Sequence, residues 1–287
     1  MPVRARICCA AILTLALAPV YGQAGEIDTE HLFGFMIGSD VGNVGEREFQ
    51  SQTTGRFSRS GGSYRALTQE LELEFVPAKD FRVELGSSFA THDISGVAGF
   101  EDRRQLGWQG LSIDLRYRFL DRDDAPFGLT FAVETNANRI EQGRGLPARS
   151  YGTEFTLAFD RELIPDYLVA AVNLLYQPEW TRLVGTDAVE REATVGVAAA
   201  LMAQIRPGFY LGGEARYLRN YEGIGLQEFA GDALFLGPTA YLKLSERSRL
   251  TAAWSMQAWG HVAGSAGALN LVGFERHQAR LIYGINF

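Results

Sequence analysis

Cysteine is nearly absent. The chain has two, Cys8 and Cys9, both close to its start. If that start is a removable leader, the mature chain has no disulfide, no thiolate metal site and no cysteine nucleophile. Lysine is as scarce, with only Lys79 and Lys243, so nearly every cation is an arginine. No basic cluster stands out, and the formal charge is −7, which argues against a nucleic-acid partner. Two further things are missing. Beyond the first residues there is no long apolar run, and no long stretch carries a helical period. Helical membrane spans and helical bundles are thereby disfavoured.

The one apolar run is Ile7–Val20, "ICCAAILTLALAPV". Arg4 and Arg6 precede it and "YGQAGE" comes after it. A basic start, a short apolar middle and small residues at a cleavage point read as a secretory signal peptide over 1–24, cut after Ala24. The run is too short to cross a bilayer, which takes about 20 residues. Its cysteines sit at the wrong end of the run for lipid attachment. Arg4 and Arg6 leave with the leader, so the formal −7 becomes −9 over 25–287.

Alternation with period two fills the rest. In "QELELEFV", Leu71, Leu73 and Phe75 share one face and Glu70, Glu72 and Glu74 the other. In "LSIDLRYRF", Leu111, Ile113, Leu115, Tyr117 and Phe119 oppose Ser112, Asp114, Arg116 and Arg118. Twelve such segments are expected, at 30–39, 64–76, 81–92, 105–119, 127–138, 150–162, 167–180, 190–205, 208–219, 231–244, 249–261 and 273–287. Most exceed the soluble-strand norm of about 5–6 residues.

The connections sort into short turns, at 77–80, 121–126, 164–166, 206–208 and 245–248, alternating with longer linkers. Phe75, Phe81, Phe119, Phe127, Phe159, Phe209 and Phe287 lie on the side of the short turns. Trp108, Tyr151, Trp180 and Trp259 lie toward the longer linkers. Two aromatic bands, with loop length sorted by side, are the layout of a membrane barrel and not of a β-sandwich. The fold class expected is all-β, a twelve-stranded antiparallel up-and-down transmembrane β-barrel over 25–287. No N-terminal segment of plug size is expected. The linker 40–63 is long enough to fold inward.

The final stretch "HQARLIYGINF" places Ala279, Leu281, Tyr283, Ile285 and Phe287 on one face. With Leu281, Tyr283, Ile285 and the terminal Phe287, it resembles the C-terminal assembly signal of Gram-negative outer-membrane β-barrel proteins of porin and transporter type. The resemblance implies location in the bacterial outer membrane, contact with its lipid and lipopolysaccharide, and insertion by the barrel-assembly machinery. It implies no cargo.

If the apolar faces meet lipid, the opposite faces line the interior. That set holds Glu70, Glu72, Glu74, Glu84, Asp114, Glu134, Glu154, Asp160, Glu192 and Glu214, with Arg82, Arg116, Arg118, Arg216, Lys243 and Arg280. Either the lumen is wet or these charges pair and plug it. Their acidic excess favours cations if a pore exists. Glu70, Glu72 and Glu74 stand about 6.6–6.8 Å apart along one strand, too far for two of them to share a metal without help from another strand. A ladder with Arg82, Arg116 and Arg118 is the expected alternative, and no metal or other cofactor is called for.

The function these features favour is passive passage of small solutes, without enzymatic activity. An outer-membrane lipid hydrolase is the first alternative, with Ser255, Ser265 and His261 as candidates by sequence proximity alone. A closed structural or surface-interaction barrel is the second. "DRDDAP", with Asp121, Asp123 and Asp124, lacks the glycine and closing glutamate of a calcium loop and reads as an acidic turn.

Overall fold

The computed structural model describes residues 27–287, so the expected signal peptide lies outside the described residues. Twelve strands succeed one another around a closed antiparallel barrel. They are β1 Arg47–Phe57, β2 Ser63–Ala78, β3 Phe81–Ser95, β4 Arg103–Leu120, β5 Gly128–Ile140, β6 Pro147–Ile164, β7 Leu168–Leu183, β8 Glu190–Arg206, β9 Phe209–Glu222, β10 Glu228–Lys243, β11 Ser248–Val262 and β12 His277–Asn286. β1 and β12 seal the ring in a register that pairs Gln50 with Gly284 and Thr54 with Arg280. No strand edge is left open, as a lipid environment requires.

Period two sorts the side chains. On β3, Arg82, Glu84, Ser88, His92 and Ile94 point inward and are buried. Leu85 and Phe89 point outward and stay exposed. The same outward apolar belt runs through Leu71, Leu73, Ile113, Leu115, Leu174, Leu201, Leu211 and Leu236. On β12 it continues through Leu281, Tyr283 and Ile285, and Phe287 beyond them is also exposed.

The largest departure from expectation concerns the first strand. Residues 30–39 are not a strand, and β1 lies at Arg47–Phe57, inside what reads as a linker. The cause is visible in the side chains. Leu32, Phe33 and Met36 carry too much apolar surface for a lumen face, and they find a patch of their own. With Ile27 they pack on Val169, Ala171, Ala198, Ala200, Met202 and Tyr210, which face inward from β7, β8 and β9. The true β1, "REFQSQTTGRF", is polar on both faces apart from Phe49 and Phe57, so its alternation is weak. Residues 27–46 therefore enter the barrel as an inserted segment, where no plug is expected from sequence.

The connections differ too. Several strands run past their expected ends, so most linkers shrink to tight loops such as 58–62 and 223–227. The turn at 121–127 is no shorter than these. Loop length is therefore not cleanly sorted by side, and only 263–276 remains long. Strand extension beyond the apolar belt explains this, because polar rims still form ladders where the alternation has faded.

Candidate functional site

The inserted segment is built into the wall by backbone groups that no strand neighbour satisfies. Glu214 on β9 accepts from Gly34 N at 2.6 Å and Phe35 N at 2.8 Å. Asn173 on β7 accepts from Ile37 N and donates to Ile37 O, both at 2.9 Å. Asp160 on β6 takes Ser39 N at 2.6 Å, Ser39 Oγ at 2.7 Å and Thr29 Oγ1 at 2.7 Å. Thr251 Oγ1 on β11 donates to His31 O at 3.0 Å. Gly34 passes so close to β11 that a Cβ there would lie 2.2 Å from Ala253 Cβ, so only glycine fits. Asp40 pairs with Arg122 and accepts from Thr29 N at 2.8 Å. Burial pushes the Asp40 carboxyl up to about 6 even though the Arg122 guanidinium pulls it down.

Beside the segment a polar cavity of about 530 Å³ runs on toward the loop end. Its lining includes Glu70, Glu72, Arg82, Glu84, Asp114, Arg116, Glu134, Glu154, Glu192, Arg216 and Arg280 from the sequence-derived set. Four others of that set face inward but are taken up by the inserted segment or the rim. Glu74 is buried 3.5 Å from Arg82, and Asp160 and Glu214 hold the segment's backbone. Arg118 pairs with Asp80 and Asp121 and reaches Asp40 at 3.5 Å. Lys243 is a correction. As the last residue of β10 it sits exposed at the rim, with Nζ 2.7 Å from Glu246 in the turn. It lies beyond the polar interior and does not line the cavity.

The charges are sorted around the wall. Glu70 and Glu72 on β2, Glu134 on β5, Glu154 on β6 and Glu192 on β8 make no ion pair within 4 Å among the described residues. Arg216 on β9 and Arg280 on β12 stand on the arc that closes the ring between β8 and β2 and flank the Phe35 ring, at 4.0 and 4.8 Å from its centroid. The expected ladder forms only in part. Arg82 and Arg116 are taken by Glu84, Asp114, Glu30 and Glu74. Glu70 instead accepts from Ser112 Oγ at 3.0 Å, and Glu72 from Gln50 Nε2.

Sequence reasoning missed the lining residues Gln50, Gln52, Thr54 and Arg56, because their strand was missed. Arg249 on β11 was also missed, although the alternation Arg249, Thr251, Ala253, Ser255 marks it as inward. The loop 141–146 folds over the cavity, held by Tyr64 Oη to Gly143 O at 2.8 Å and by His92 Nε2 to Gln142 O at 2.9 Å. The candidates for a hydrolytic pair do not meet. Ser255 is buried on the lumen side, Ser265 lies in the 263–276 loop, and His261 stacks on Phe229.

Residues 25–287 match the family described as "Family of unknown function (DUF6662)". A comparison with curated proteins finds no match. Among solved structures, the COG4313 outer membrane channel from Pseudomonas putida F1 is similar with a TM-score of 0.59 at 14% identity, covering 91% of this chain and 100% of that one. The translocator domain of the autotransporter NalP from Neisseria meningitidis is similar with a TM-score of 0.51 at 15% identity, covering 86% of this chain and 90% of that one. These likenesses show the fold, which is that of the bacterial outer-membrane β-barrels.

Proposed function

This chain belongs to the family of unknown function DUF6662, and on that footing we propose that it is a channel-type barrel of the bacterial outer membrane. It passes small polar solutes by diffusion, with a bias toward cations, through a lumen that residues 27–46 narrow at the short-turn end. The outward apolar belt supports the membrane setting. The similarity to a solved outer membrane channel accords with it.

The observation that carries the reading is the set of unpaired carboxylates in the cavity. Glu70, Glu72, Glu134, Glu154 and Glu192 line it, and no arginine or lysine stands within ion-pair distance of them among the described residues. Leaving charges unpaired in a dry interior costs several kcal/mol each. Water in the lumen removes that cost, and a wet acidic lumen concentrates cations. A closed barrel stabilised by charge pairing would have matched these groups with Arg216 and Arg280.

Single-channel recording in a planar bilayer under a salt gradient tests the reading. Ohmic steps with a cation-selective reversal potential are the expected result. A variant lacking residues 27–46 should give larger steps. Silence from both forms, with the barrel shown to be folded by heat-modifiable gel mobility, would overturn the reading.

A further inference from the structure

Three carboxylate oxygens converge on one imidazole nitrogen inside the barrel. From His31 Nε2, Glu30 Oε2 lies at 3.6 Å, Glu48 Oε2 at 3.7 Å and Glu74 Oε2 at 3.8 Å. These separations are too long for hydrogen bonds. They are close to what a shared ion imposes, because two ligand atoms bound tetrahedrally to one zinc stand about 3.3 Å apart. The ligand atoms of Glu30, His31 and Glu74 all lie within 4.8 Å of one another. The four residues come from three places. Glu30 and His31 belong to the inserted segment, Glu48 to β1 and Glu74 to β2, and Glu48 faces Glu74 directly in the strand register. Glu74 thus gains from other elements the partners that its own strand neighbours stand too far away to supply.

Charge is a second, separate argument. The ion-paired cluster around these residues holds five carboxylates, on Glu30, Glu48, Glu74, Glu84 and Asp114, and three guanidiniums, on Arg82, Arg116 and Arg249. Two negative charges are left over among side chains that are almost fully buried. A divalent cation supplies that balance. The arginines also act as an outer shell. Arg82 Nη1 holds Glu30 Oε1 at 2.7 Å, which leaves Glu30 Oε2 turned toward His31, whereas Arg249 holds both Glu48 oxygens, with Nε 3.2 Å from Oε2.

We propose that His31, Glu30 and Glu74 bind a divalent first-row transition metal ion of the zinc type, with a fourth position open to water and Glu48 held beside the site by Arg249. An imidazole nitrogen among carboxylate oxygens suits such an ion better than calcium or magnesium, which take oxygen ligands. The ion clamps the inserted segment to β2. The inference goes beyond the channel reading and does not depend on it, since a barrel that conducts nothing could bind the ion equally well.

The test uses the refolded protein after treatment with a chelator. Zn²⁺ is titrated against a chromophoric competitor, and Co²⁺ is added separately to record its visible absorption. One equivalent of Zn²⁺ and a four-coordinate Co²⁺ spectrum are expected. H31A and E74Q should each weaken Zn²⁺ binding at least tenfold. E101Q, which changes an exposed loop residue paired only with Arg103, should bind as the wild type does. Heat-modifiable mobility certifies that each barrel is folded. Should H31A not fold, the wild-type titration and Co²⁺ spectrum still decide. No stoichiometric binding by the wild type overturns the proposal, as it would mean that protons carry the excess charge. Binding that survives both H31A and E74Q overturns it as well.

Discussion

Asn173 and Ile37 exchange two hydrogen bonds of 2.9 Å each, the side-chain amide of β7 satisfying both backbone groups of one residue in the inserted segment. A strand neighbour would satisfy a residue in the same way. The segment is thereby held by wall side chains in place of a ladder. Asn173→Ala leaves the Ile37 N–H and C=O without partners, at a cost of about 1–3 kcal/mol. The expected outcome is a channel whose current flickers to larger steps, in a barrel that keeps its heat-modifiable mobility. Single-channel records indistinguishable from wild type would argue that the segment does not narrow the path.

The sorting of charge across the lumen gives paired, opposite outcomes. Glu70→Gln with Glu72→Gln removes two unpaired carboxylates from the acidic arc, and the reversal potential in a salt gradient should move toward zero. Arg216→Gln or Arg280→Gln removes a cation from the β9–β12 arc and should move it the other way, toward stronger cation selectivity. If both sets move the potential in the same direction, lumen charge does not set selectivity.

Asp40 gives the docked segment a pH dependence. Its carboxyl is raised from an ordinary 3.8 to about 6 when the segment is in place. A raised value means that docking takes up a proton, so its contribution is fully present below about pH 4 and is lost as pH rises through 6. Conductance should therefore climb between pH 4 and pH 6, and Asp40→Asn should flatten that part of the profile. Bilayer recordings across this range at constant salt make the comparison. An unchanged slope in the variant would assign the pH response to other groups.

The barrel was legible because lipid and lumen impose opposite chemistry on alternate residues. Leu71, Leu73, Leu85 and Leu115 against Glu70, Glu72, Glu84 and Asp114 carry that contrast in the sequence alone. Residues 27–46 were not legible for the same reason. Leu32, Gly34 and Met36 read as one face of an alternating strand and Phe33, Phe35 and Ile37 as the other, but Leu32, Phe33 and Met36 pack together against the inward-facing Ala171, Ala198 and Met202. β1 was hidden because Gln50, Ser51, Gln52, Thr53 and Thr54 are polar on both faces. The convergence of Glu30, Glu48 and Glu74 on His31 depends on where the inserted segment lands, and no spacing in the sequence encodes that.

The assignment of faces is itself open to a direct test through matched substitutions. Leu115 on β4 is exposed on the outer belt, whereas Gln52 on β1 lines the cavity. An arginine on the lipid face near the bilayer midplane costs about 2–4 kcal/mol, and the same charge in a wet lumen costs little. Leu115→Arg should lower the urea midpoint of the barrel in lipid vesicles, and Gln52→Arg should leave it near wild type while reducing cation selectivity. The pair separates a membrane barrel from a soluble one. In a soluble barrel Leu115→Arg would merely add a charge to a solvated surface, and the urea midpoint would not move.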